Sequence, residues 1–179
     1  MYDTRYYESL QRSTSTDFKI DKYVTNSATI DLSASTSDEL SVSYGTAYRA
    51  SYCSANWIVY RLTDIMLMKA EALVQLAVDR ENGKDPKLSE AFKLVNAVNL
   101  RSNCDKNKVA VLDSTLYTTK STMNNLVMAE RQRELMFEGK RWFDLVRRAR
   151  REGNTDYLVE QVKLSLIHIS EPTRQEAIS

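Results

Sequence analysis

Glu130 and Glu134 stand one helical turn apart in the stretch ERQRELMFEGKRWFDL, residues 130–145, which also carries Arg131, Arg133, Glu138, Lys140, Arg141 and Asp144. Acids at this spacing, crowded by arginines, admit several kinds of chemistry. Two carboxylates can act as acid and base, or as acid and nucleophile, on a glycosidic bond, provided they face each other across a gap of roughly 5–9.5 Å. Carboxylates can hold a metal, given a histidine or a third acid at ligand spacing. Arginines can grip phosphates where a local positive patch exists. Finally, acids and bases can neutralise one another as an ionic framework inside a fold.

The choice depends on the element that carries them. On a wheel at about 100° per residue, a helix from about Ser121 to Glu138 puts Met123, Leu126, Val127 and Phe137 on one face. Glu130 and Glu134 fall in the middle of that face, where Leu or Val would be expected. A buried carboxylate without a partner is strongly unfavourable, so partners are required. Arg131, Arg133, Arg141 and Arg61 offer the planar guanidinium fork that binds a carboxylate with two hydrogen bonds.

Two acids on one apolar stripe do not oppose each other, which disfavours a glycosidase. The sole histidine, His168, lies far off in the tail, so no metal site and no cofactor is expected. The run RRARR, 147–151, could contact phosphates, but 25 basic and 24 acidic residues leave a net charge of +1. No global field draws in nucleic acid or acidic lipid, and the run reads as a solvated face. The ionic framework is the favoured reading.

Other elements surround this helix. Over 61–78, Leu62, Ile65, Met66, Ala70, Leu73, Leu76 and Ala77 recur at helical spacing and predict a helix with that face inward. Asn82-Gly83 breaks the chain, and Asp85-Pro86 supplies an N-cap acceptor and a proline for the first turn of the next helix. Its buried stripe is Leu88, Ala91, Phe92, Val95 and Val98, giving an antiparallel hairpin that resembles tetratricopeptide-type pairs. Residues 104–118 read as a loop with a short apolar patch.

Gly139 interrupts or closes the third helix, and a fourth covers about 140–151. There Trp142, Leu145, Val146 and Ala149 share one side, with Trp142 as a core anchor, while Lys140, Asp144, Arg147, Arg148 and Arg151 lie mostly on the other. Residues 1–60 differ: they are rich in Ser and Thr and hold eight of the ten Tyr residues plus Trp57. Short strands and loops are expected there, for instance in SVSYGTAYRASYC. The fold class is thus mainly α with an irregular N-terminal third, divided as 1–60, 61–151 and a tail at 152–179.

Apolar residues at 42% and charged residues at 27% suit an ordinary globular core. Cys53 and Cys104 form no CxxC pair and read as two free thiols. No apolar run of about 18 residues is present to predict a membrane-spanning helix, and MYDTRYYESL lacks the apolar stretch of a secretory signal.

The densely charged segment also resembles the C-terminal motif of the SusD/RagB family, Glu-Arg-x-Arg-Glu-Leu, then Phe-Glu-Gly, then Arg-Trp-Phe-Asp-Leu. Here those positions are Glu130, Arg131, Arg133, Glu134 and Leu135, then Phe137, Glu138 and Gly139, then Arg141, Trp142, Phe143, Asp144 and Leu145. A second family stretch is matched by RLTDIMLMKAEAL, with Arg61, Asp64, Ala70, Glu71 and Ala72. VNAVNLRSN resembles the helix between them more weakly, and the resemblance spans roughly 57–150.

It implies a SusD-like helical scaffold in a surface-exposed outer-membrane lipoprotein without enzymatic activity. Such a protein captures oligosaccharides or other nutrients and partners a TonB-dependent transporter of the SusC type. Family members are several times longer and begin with a lipid-anchored cysteine, so this chain is expected to be a C-terminal fragment without that anchor. From about 166, LIHISEPTRQEAIS departs from the family and looks like translated cloning adapter, so His168 and Pro172 carry no role.

Sugar recognition uses flat aromatic surfaces among polar groups, which makes Trp57, Tyr44, Tyr48 and Tyr52 the ligand candidates. Each is more often a packing residue. The alternative function is an intracellular helical-repeat adaptor that binds protein partners in a groove.

Overall fold

A computed structural model of the chain describes residues 3–12, 18–20, 22, 28–31, 33, 41–44, 57–80, 83–103 and 111–163. Contacts divide the chain into two units, Met1–Glu138 and Gly139–Ser179. The described residues are mainly helical, as the apolar spacing predicts.

The first unit begins with a short helix α1 (Thr4–Ser9), which the sequence reading did not anticipate, followed by β1 (Leu10–Arg12) and β2 (Phe18–Ile20). These strands pair antiparallel, Leu10 opposite Ile20. A second antiparallel pair joins β3 (Ala28–Asp31) to β4 (Ser41–Tyr44), with Ile30 opposite Val42. β4 falls within the SVSYGTAYRASYC stretch expected to form strands. Tyr48, Tyr52, Cys53, Cys104 and the tail with His168 lie outside the described residues.

α2 (Leu62–Leu76) and α3 (Pro86–Ser102) form the expected antiparallel pair. The Asp85 carboxylate starts α3 by accepting from Lys87 N at 2.8 Å, and it also takes Val78 N at 3.2 Å. One side chain therefore caps α3 and fixes the turn that follows α2, with Pro86 where its missing N–H costs nothing. A 3₁₀ turn (Ser114–Leu116), capped by Asp113, interrupts the segment read as a loop.

Next comes α4 (Lys120–Glu134), opened by a capping box between Thr119 and Thr122. Gln75 meets Asn124 at one end of α4 and Asp64 meets Arg131 at the other, so α4 runs antiparallel to α2. The core lies between the three helices. Leu67, Ala70 and Val74 of α2 pack with Leu88, Ala91, Val95 and Val98 of α3 and with Met123, Leu126 and Val127 of α4. Each large aliphatic side chain removed from water contributes roughly 1.5–3 kcal/mol, while Ala70 and Ala91 let the helix backbones approach.

Three sequence expectations need correction. The inward face of α2 carries Thr63, Asp64, Leu67, Ala70, Glu71 and Val74, whereas Leu62, Ile65 and Leu76 are 76%, 48% and 67% exposed. The face is rotated by about one residue because its interior side bears acids that ion pairs accept. α4 stops at Glu134, four residues before the expected end. The Glu134 carbonyl takes Lys22 Nζ at 3.1 Å and Arg61 Nη2 at 2.5 Å in place of a continuing backbone amide. Phe137 therefore leaves the helix face and adopts the left-handed region at φ 64°.

The third correction concerns the second unit, where α5 (Arg141–Glu152) ends on Gly153 at φ 62°. Trp142 is 55% exposed rather than a core anchor, and Asp144, expected outside, is 2% exposed. Residues 156–163 form a further helical segment. It folds back on α5: the Arg148 guanidinium stacks over the Tyr157 ring at 4.0 Å and Arg141 donates to Gln161 at 3.0 Å.

Candidate functional site

α4 and the turn after it aim Glu130, Glu134 and Glu138 inward, and the surrounding elements meet them with cations. Glu130, wholly buried, accepts from Arg5 Nη1 at 2.6 Å on one oxygen, and from Arg133 Nη2 at 2.5 Å and Asn99 Nδ2 at 3.3 Å on the other. Glu134 takes Arg61 Nη1 at 2.5 Å and Arg101 Nη2 at 2.6 Å on Oε1, and Arg5 Nη1 at 3.2 Å on Oε2. Glu138, in the turn after α4, binds Arg61 Nη2 at 2.8 Å and Lys22 Nζ at 2.7 Å. Asp3 completes the group by clasping Arg5 through Nε at 2.9 Å and Nη2 at 2.6 Å. A separate buried pair, Arg131 to Asp64 at 3.1 Å, ties α4 to the start of α2.

The charges set one another. Burial works against an ionised Glu134, but the hydrogen bond and charge of Arg61, with Arg101 and Thr63 behind them, hold its carboxyl below the ordinary value. Burial likewise opposes charge on Arg61, and the Glu138 and Glu134 hydrogen bonds raise it. Lys22 is pulled down by burial, which its Glu138 contact does not offset.

Such saturation decides the chemistry. A general acid must keep a proton near neutral pH, and a nucleophile needs a free lone pair facing a cleft. Glu134 has its proton affinity lowered and its oxygens filled by three arginines. Among the described residues, no group of three His, Cys, Asp or Glu is placed to hold a metal. The arrangement is an ionic lock between α2, α3, α4 and the N-terminal segment.

Of the arginines proposed from sequence, Arg61 and Arg133 do meet these glutamates, whereas Arg131 turns instead to Asp64. Arg5, Lys22 and Arg101 were missed. Arg5 approaches Glu130 from 125 residues away, a separation that helical periodicity cannot read. Arg101 was legible in principle, as the basic residue in the last turn of α3.

Two open spaces flank the lock. One of about 410 Å³ is lined by Arg5, Lys22, Arg61, Arg101 and Glu134, with hydroxyls from Thr4, Ser9 and Ser102. The other, about 320 Å³, is bordered by Leu62, Met66, Ala97 and Val98, with Arg61 and Arg101 shared between the two. Of the aromatic candidates, the described Trp57 is not among the residues lining either space. Trp57 is 59% exposed just ahead of α2, with Tyr60, which the sequence reading did not single out, 69% exposed beside it in sequence. Tyr44 closes β4.

A helical pair braced by a third helix, with motif acids committed to arginine, defines a mainly helical, ion-locked scaffold. The chain belongs to the SusD family, whose pattern matches residues 2–166. SusD-like protein P38 of Formosa agariphila is 31% identical over 148 residues, covering 81% of this chain and 24% of that protein. SusD-like protein P2 of the same organism is 30% identical over 94 residues, covering 52% of this chain and 17% of its own length. The chain thus spans about a quarter or less of these relatives. No solved structure matches it. The family match also takes in the N-terminal hairpins, which the quoted motifs did not reach.

Proposed function

We propose that the chain is part of a non-enzymatic nutrient-binding protein at the outer-membrane surface, which captures oligosaccharides for a TonB-dependent transporter of the SusC type. Membership of the SusD family carries this reading. The lock supports the non-enzymatic part, because the acids that could have suggested a hydrolase are engaged in ion pairs. No described helix is long and apolar enough to cross a membrane, and attachment is assigned to a lipid anchor, as in the family.

Within this reading, 61–151 is the scaffold segment and 1–60 contributes to ligand contact. Trp57 and Tyr60 are the described aromatics that present rings to solvent near the start of α2. An exposed indole offers the flat apolar face against which a sugar ring stacks. Tyr44, Tyr48 and Tyr52 stand as further candidates on sequence grounds.

Calorimetric titration of the protein with a panel of oligosaccharides tests the proposal. Binding without turnover, weakened by Trp57→Ala, is the expected result. Hydrolysis of the ligand, or no binding across the panel, would overturn it. Protein partners recovered in place of sugars would favour the helical-repeat adaptor.

A further inference from the structure

The charges of the lock do not balance. Arg5, Lys22, Arg61, Arg101 and Arg133 meet four carboxylates, those of Asp3, Glu130, Glu134 and Glu138. Every cation has a partner, yet one positive charge is left over, and it lies where donors are idle. Arg61 uses all three of its nitrogens on Thr63, Glu134 and Glu138. Arg5 uses all three of its own on Asp3, Glu130 and Glu134. Arg133 closes Nε and Nη2 on Glu130 and lines neither open space. Arg101 gives only Nη2, at 2.6 Å, to a Glu134 oxygen that Arg61 already holds at 2.5 Å. Its Nε and Nη1 have no partner among the described residues, and its side chain is 56% exposed.

Arg101 borders both spaces beside the lock. The larger, about 410 Å³, falls in the usual range of ligand sites, roughly 300–1,000 Å³. Its wall suits a polyol better than an apolar ligand, because hydroxyls of Thr4, Ser9 and Ser102 line it. The Ser102 hydroxyl donates to Asn99 O at 2.8 Å, which leaves its lone pairs to accept from a ligand hydroxyl. Ile58 also lines the space, and it follows in sequence the exposed Trp57 assigned above to sugar stacking.

A single surplus guanidinium among hydroxyls matches a ligand with an anionic group on a hydroxyl-rich ring. We propose that this space binds an acidic sugar unit, with Arg101 donating to its carboxylate or sulfate ester and the hydroxyls meeting the ring. The inference rests on the nutrient-binding reading and narrows it to a class of glycan. Hydrogen bonds between ionised groups are the strong ones. Arg101 keeps that capacity for a ligand because the one charge of Glu134 is divided among three arginines.

The test is calorimetric titration of the whole 179-residue chain with two matched pairs: trigalacturonate against its methyl ester, and a sulfated galactotriose against its desulfated form. The expected result is that at least one acidic member binds roughly tenfold tighter than its neutral counterpart, and that the advantage shrinks as salt is raised. The pair that shows the difference identifies the acidic group. Arg101→Gln removes the difference, while its thermal unfolding, followed in parallel, shows the chain still folded.

Equal affinity within both pairs, or a difference that survives Arg101→Gln, would overturn the proposal. So would inorganic sulfate displacing the acidic ligand with the same affinity, which would make this a site for bare anions. Neutral members binding as well as acidic ones refutes the inference and leaves nutrient capture standing. No binding to any of the four refutes it too, and the wider oligosaccharide panel then decides the other reading.

Discussion

Replacing Glu134 with Leu removes the carboxylate on which Arg5, Arg61 and Arg101 converge. Breaking a buried pair by deleting one partner costs roughly 3–5 kcal/mol, because the opposite charge stays buried without compensation. The surroundings place this case at the lower end. Arg5 keeps Asp3 and Glu130, and Arg61 keeps Glu138. Arg101, 56% exposed along its side chain, can return to water. The expected loss is therefore about 3 kcal/mol, or roughly 6–12 °C in Tm for a chain of this size. Thermal unfolding followed by circular dichroism at neutral pH measures it. Arg101→Met is the internal control, and it should cost less than about 1 kcal/mol because its partner retains two other cations and its own exposure screens the pair. A Glu134→Leu protein melting within about 2 °C of the parent would show that the lock is not what holds α4 against α2 and α3.

Acid should act through the same group. Glu134 is held below its ordinary value of 4.5, so its stabilisation is complete above that value and drains away as pH falls through the lower folded value. Urea midpoints should drop on acidification toward about pH 3, and the drop should be shallower in Glu134→Leu. At the Arg131–Asp64 pair, buried at 3% and 1%, Asp64→Leu alone should cost roughly 3–5 kcal/mol, whereas Asp64→Leu with Arg131→Met should recover most of it. A double-mutant cycle by urea unfolding reads the coupling, and simple additivity would count against a direct pair. Gly153 ends α5 at φ 62° with nothing within 4 Å of an added Cβ. Gly153→Ala should therefore cost about 1 kcal/mol from backbone strain alone, and Gly153→Asn less. Hydrogen exchange of the α5 amides is the measurement, with Ala exchanging no faster than Gly as the refuting result.

Helix existence was legible in this sequence wherever a local chemical signal marks an end. Asp85-Pro86 and the Asn82-Gly83 break announce α3, and the stripe Leu88, Ala91, Val95 and Val98 is buried as spaced. The burial of Glu130 and Glu134 was legible too, since acids standing in an apolar stripe have nowhere else to point. Their partners were only half legible. A wheel describes one helix, and Arg5 and Lys22 arrive from an N-terminal segment whose placement depends on contacts more than 100 residues long in sequence, as the 125-residue separation of Arg5 and Glu130 shows. The end of α4 was misjudged for a related reason: cations from Lys22 and Arg61 close its last carbonyl, and neither belongs to the helix.

The two rotated helices share a cause. Periodicity assumes that charge points outward, so it chooses the face with the most apolar residues. That rule turns α2 toward Leu62, Ile65 and Leu76, and α5 toward Trp142, and in both helices the buried face lies about one residue away. On α2 the buried side carries Asp64, which Arg131 neutralises; on α5 it carries Asp144, which Arg147 contacts. Where ion pairs enter the interior, apolar residues are released to the surface. The exposed Trp142 and Phe143 follow from the burial of Asp144 one and two positions along. On both helices the buried acid and the exposed apolar residues are two consequences of one rotation, and a periodicity that ignores the ion pairs misplaces both faces.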